Sequence, residues 1–90
     1  MSVNFTRRAL RDLANIQSHI ANDSPQAASR MAVELIAACD RLEHFPERGR
    51  PGLMRGTREL TTVWPYVIVY TVSGDRIEIV SIWHGRQRRD

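Results

Sequence analysis

The chain predicts an α+β domain of order β-α-α-β-β-β, a helical hairpin packed on one face of a four-stranded antiparallel sheet. Apolar residues recur at three- and four-residue steps between positions 9 and 42, the period of helices lying on a core. From 58 to 83 they alternate or run continuously, as half-buried and central strands do. The whole chain of 90 residues holds no second composition and no linker, so residues 1–90 form one domain near the size at which a single core suffices.

Val3 to Phe5 is a short apolar strand. Thr6 then caps the first helix, its hydroxyl accepting from a first-turn amide. Ala9, Leu10, Leu13, Ile16, Gln17 and Ile20 form one stripe, and Asn22-Asp23 ends the helix. Ser24 caps the second helix, with Pro25 at its first position, where a missing amide costs nothing. Its stripe is Ala28, Met31, Ala32, Leu35, Ala38, Cys39 and Leu42, and the many alanines let the two helices approach closely. The helix stops before Pro46, because a residue ahead of proline avoids the helical region.

Residues 46–57 hold three glycines and two prolines and read as one long loop. Strands follow at about 58–63, 66–72 and 76–83, the last two joined by a three-residue connection, Ser73-Gly74-Asp75. Chain direction alternates through these six elements, so the first strand is expected to join a sheet edge antiparallel. The sheet face away from the helices is left partly open.

Composition excludes several chemistries. Cys39 is alone and sits among alanines and Leu42, a buried thiol rather than half of a disulfide or a nucleophile. No cysteines or histidines have metal-ligand spacing, and no glycine pattern suits a phosphate loop, so no cofactor is expected. No run approaches the ~18 apolar residues of a membrane span, and the N-terminus lacks the apolar core of a signal peptide, which points to the cytoplasm. All 13 basic residues are arginines, against ten acids, for a net charge of +3. Arg48, Arg50, Arg55 and Arg58 fall within eleven residues, and Arg86, Arg88 and Arg89 close the chain. Such clusters suit nucleic acid or an acidic protein, and charge does not choose between them.

His84 at the end of the last strand has a side chain suited to proton transfer near neutral pH. Arg58 opens the second strand, where it is expected to reach the same open face as His84 and Arg86. Three such groups together would grip a scissile phosphate. They would equally serve as ordinary surface charges. Trp64, Trp83, Tyr66 and Tyr70 are expected to fill the core or the sheet face, and His19 to be solvated.

In order along the chain, Ala9 and Leu13, Ser24-Pro25, Phe45-Pro46-Glu47-Arg48-Gly49-Arg50-Pro51, Gly56-Thr57-Arg58-Glu59-Leu60 and the ending His84-Gly85-Arg86 resemble the RelE/ParE family of type II toxin–antitoxin toxins. The ParE branch is the closer match. The resemblance implies a toxin bound by a cognate antitoxin in a hetero-oligomer, of the kind associated with plasmid stabilization and growth inhibition. ParE-like members are described as poisons of DNA gyrase; RelE-like members cleave messenger RNA on the ribosome. The chain lacks the lysines and the tail tyrosine of many RelE-like enzymes, so gyrase is the expected target, contacted through Arg58, His84, Arg86, Arg88 and Arg89. If the chain is instead a ribonuclease, Glu47, Arg58, His84 and Arg86 are its catalytic set, with Glu47 in a position resembling the base of some relatives. A third reading is a non-toxic remnant that only binds antitoxin. The antitoxin is expected along the helical hairpin, at Leu13, Ile16, Ile20, Met31 and Leu35.

Overall fold

A computed structural model describes residues 2–86. The elements are β1 (Ser2–Phe5), α1 (Arg7–Ala21), α2 (Pro25–Arg41), β2 (Arg50–Pro51), β3 (Thr57–Leu60), β4 (Tyr66–Ser73) and β5 (Arg76–His84). They form one five-stranded sheet in the order β1-β5-β4-β3-β2 with the helices packed on it. The class is α+β, as the periodicities predict.

The helix ends follow from their caps. Thr6 accepts from the Ala9 amide at 3.1 Å, and its own hydroxyl donates to the Val80 carbonyl at 2.9 Å, so one side chain both starts α1 and ties it to β5. Ser24 accepts from the Ala27 amide at 3.1 Å, with Pro25 in the first turn of α2.

The sheet departs from expectation in two linked ways. The loop carries an additional short strand, β2, paired antiparallel with β3 as Arg50↔Glu59 and Pro51↔Arg58. That strand adds one reversal of chain direction. By the time the chain reaches β5 it therefore runs the same way as β1, and the two pair in parallel, with Val3 beside Ile77 and Phe5 beside Ile79. The antiparallel first strand is thus corrected by the strand hidden in the loop. β3 ends at Leu60 rather than near 63. The β4–β5 connection is also tighter than expected, since Ser73 pairs with Arg76 and only Gly74 and Asp75 turn. Gly74 has φ +61 and no described non-glycine residue has a positive φ, the sign pattern of a II′ turn.

A bulge at Val80 sets which residues of β5 face the helices. Tyr70 stands opposite Ile79 and Val69 opposite Ser81, so Val80 is the extra residue. The phase of the strand shifts there. Ile77 and Ile79 before the bulge and Ile82 after it all enter the core, together with Ala9, Leu13, Leu35, Cys39 and Leu42. The opposite face is not open at its centre. Glu59, Val69 and Ser81 lie in one row across three strands and are each 5% exposed.

Candidate functional site

The arginine-rich loop after α2 is fixed by side chains from the sheet. Tyr70 is fully buried, and its hydroxyl donates to the Pro46 carbonyl at 2.8 Å while accepting from the Gly49 amide at 2.9 Å. Burial raises the Tyr70 pKa above its ordinary value, partly offset by the Gly49 amide and by Arg58, so the proton it donates stays in place. Glycine is required at 49: a Cβ there would lie 2.8 Å from the Tyr70 oxygen and 2.9 Å from the Glu59 carbonyl. Arg58 donates from one terminal nitrogen to the Gly49 carbonyl at 2.7 Å and to the Glu47 carbonyl at 3.4 Å. Arg50 brings its Nε and one terminal nitrogen to a single oxygen of the buried Glu59, at 3.2 and 3.0 Å. Tyr70, Arg58 and Glu59 thus hold the backbone of residues 46–50 and display Arg48 outward.

The open face that was to carry Arg58, His84 and Arg86 does not exist in that form. Arg58 stands opposite Tyr70 and His84 opposite Tyr66, so both leave the sheet on the helix side. They sit two strands apart and four residues along, roughly 16 Å by strand geometry. Arg58 directs one terminal nitrogen to the loop backbone. His84 packs edge-on against Tyr66, ring centres 5.5 Å apart at 82°. Its Nδ1 accepts from the Arg86 amide at 3.1 Å, which leaves any neutral-ring proton on Nε2. The imidazole lines a cleft of about 510 Å³ between α1 and the strand ends, facing Arg8, Asp12 and His19. Asp12 closes the base of this junction by accepting from the Ile82 amide at 3.0 Å. Glu47 lies by a separate cleft with Phe45 and Arg48. Among the described residues, the four expected catalytic groups therefore fall into two places, Arg58 beside Glu47 and His84 beside Arg86. Arg86 is exposed in the turn after β5, and Arg88 and Arg89 lie outside the described residues.

The residues expected to meet an antitoxin divide. Leu35 is fully buried and Leu13 nearly so, which makes them core residues with no surface to offer. Ile16, Ile20 and Met31 are half-buried against that core. The apolar side chains the helices do expose are Leu10, Val33 and Ile36. Leu10 was read as part of the buried stripe; Val33 and Ile36 fall off the Ala28-Ala32-Leu35-Cys39 stripe, a signal present in the sequence. Cys39 is buried, and desolvation, with Asp40 beside it, pushes its thiol up to about 12, so it is no nucleophile at neutral pH. No group of His, Cys, Asp or Glu among the described residues could hold a metal, and no described helix is long and apolar enough to cross a membrane.

The fold thus carries a latched basic loop at one corner of the sheet and a cleft beside His84 at another. Residues 3–89 match the family model described as ParE toxin of type II toxin–antitoxin system, parDE. A protein of Sinorhizobium fredii named Putative toxin Y4kP is 40% identical over 96% of this chain and 90% of its own length. Toxin RelE2 of Caulobacter vibrioides is 49% identical over 89% of this chain and 90% of its own. Among solved structures, a chain from "Chromosomal ParDE TA system from P. aeruginosa" superimposes with a TM-score of 0.84 at 30% identity, covering 93% of this chain and 95% of that one. The chain belongs to the RelE/ParE family of toxins of type II toxin–antitoxin modules.

Proposed function

We propose that this toxin arrests growth by binding and inhibiting DNA gyrase, that it acts in the cytoplasm, and that a cognate antitoxin neutralises it in a hetero-oligomeric complex. The observation that carries the binding mechanism is the separation of Arg58 from His84. The expected ribonuclease set needs Arg58 and His84 on one phosphate, whereas here the Arg58 guanidinium holds the Gly49 and Glu47 carbonyls at the far corner from the imidazole. A surface-binding toxin needs no such convergence. The match to a ParE family model and the likeness to a chain of a ParDE system support the antitoxin partner.

Messenger RNA cleavage on the ribosome is the second reading, favoured by the RelE name of the Caulobacter relative. Two assays run side by side separate the readings: plasmid supercoiling by purified gyrase, and cleavage of a defined message on programmed ribosomes. Inhibition of the first with an intact message supports gyrase; a cut message with normal supercoiling supports the ribonuclease.

A further inference from the structure

The β2–β3 hairpin ends in a feature that folding does not require. Leu53 is 77% exposed and Met54 72% exposed, two adjacent large apolar side chains at a loop tip. The neighbouring turns at Asn22-Asp23 and Gly74-Asp75 are polar, the usual choice for water-facing loops. The tip is also well ordered. The Gly52 amide donates to the Thr57 carbonyl at 2.8 Å, and the Met54 carbonyl accepts from both the Thr57 amide, at 3.1 Å, and the Thr57 hydroxyl, at 2.6 Å. At its base the hairpin is held by Arg50–Glu59 and by the clamp of Tyr70 and Arg58 on Gly49. A tip whose backbone is already hydrogen-bonded loses little further backbone freedom on docking, which favours an interface anchor. Methionine adds a flexible, polarizable tip that adapts to an apolar pocket.

Arg55 directly follows the pair in sequence, and Arg48 precedes β2 at the base of the hairpin. Arg48 and Arg55 are exposed and form no ion pair among the described residues. A protruding tip needs a concave receptor. A single extended or helical segment has no concavity of its own, so the shape selects a folded protein. A second copy of this chain, with net charge +3, would bring like charge to these exposed arginines.

We infer that Leu53 and Met54 are the anchor by which the toxin docks into an apolar pocket with an acidic rim on its folded target protein. This rests on the reading of the chain as a toxin with a protein target, and extends it by assigning the contact surface. The test is the double variant L53S/M54S, with R55E as a separate charge probe. Each is assayed for growth arrest, for inhibition of purified gyrase, and for binding of the antitoxin. Exposed positions leave the melting temperature nearly unchanged. Losing burial of two such side chains weakens the target interaction about 100-fold, while antitoxin affinity stays within about threefold. R55E weakens inhibition and reduces its salt dependence. A folded L53S/M54S chain as toxic as the parent overturns the inference, as does one that loses antitoxin binding but keeps toxicity. If the parent arrests growth without touching gyrase and L53S/M54S does not arrest it, the gyrase reading falls and the anchor stands with another protein target. A parent that cuts message, with the double variant equally active, removes both.

Discussion

The Tyr70 hydroxyl accepts the Gly49 amide at 2.9 Å, joining the central strand to the arginine-rich loop across 21 residues of chain. The same oxygen donates to Pro46, so one phenol satisfies a buried backbone donor and acceptor at once. Tyr70→Phe leaves both without that partner. It should cost about 1–3 kcal/mol, read as a lower denaturation midpoint with an unchanged slope. Amide exchange should accelerate at Gly49 more than in α1. Uniform acceleration across the domain would contradict a local latch.

Gly49→Ala tests the same junction from the other side. The new methyl meets the Tyr70 oxygen and the Glu59 carbonyl, both under 3.0 Å, so the loop or the tyrosine must move. Overpacking of this kind costs about 1–3 kcal/mol, or roughly 4–20 °C of melting temperature for a domain of this size. A variant melting with the parent would show that the loop gives way freely.

The caps and the two helices are legible in the sequence, because Thr6, Ser24-Pro25 and the apolar stripes act locally. The strand at Arg50–Pro51 is not: two residues within a loop rich in glycine and proline carry no period. Missing it reversed the expected direction of β5 relative to β1. The bulge at Val80 is visible only as the spacing Ile77-x-Ile79-x-x-Ile82, which reads as irregularity until the register is known. Of the aromatics expected in the core or on the sheet face, Tyr70 is fully buried but Trp64 is 76% exposed, and the partners of the Tyr70 hydroxyl lie far away in sequence, where no local pattern announces them. For the site, residue type was legible and convergence was not. Arg58 and His84 do flank the sheet, at corners that register alone separates.

Removing Arg58 should therefore act on the fold of the loop before it acts on chemistry. Arg58→Ala deletes the 2.7 Å bond to the Gly49 carbonyl and should destabilise the domain by about 1–3 kcal/mol. His84→Ala should leave toxicity within about tenfold of the parent, because no proton need move there. Loss of proton transfer in an enzyme would instead cost ~100- to 10,000-fold. Growth arrest titrated against induction distinguishes these outcomes, and a folded His84→Ala chain without toxicity would favour the ribonuclease.

Cys39 gives the domain an alkaline weakness. Its folded pKa of about 12 lies above the ordinary 9.0, so the folded state keeps the proton that the unfolded state releases. Stability is full below about pH 9 and falls as pH rises toward 12, by up to about 1.4 kcal/mol per pH unit relative to Cys39→Ala. Parallel denaturation of the two proteins from pH 7 to 10 checks the slope. Identical pH dependence would mean that the thiol ionises as readily folded as unfolded.

The most direct test of the account is a titration of purified toxin into gyrase supercoiling relaxed plasmid with ATP. The parent chain should inhibit in a dose-dependent way, His84→Ala should retain the effect, and stoichiometric antitoxin should restore full supercoiling. Complete supercoiling at saturating, folded toxin would contradict it.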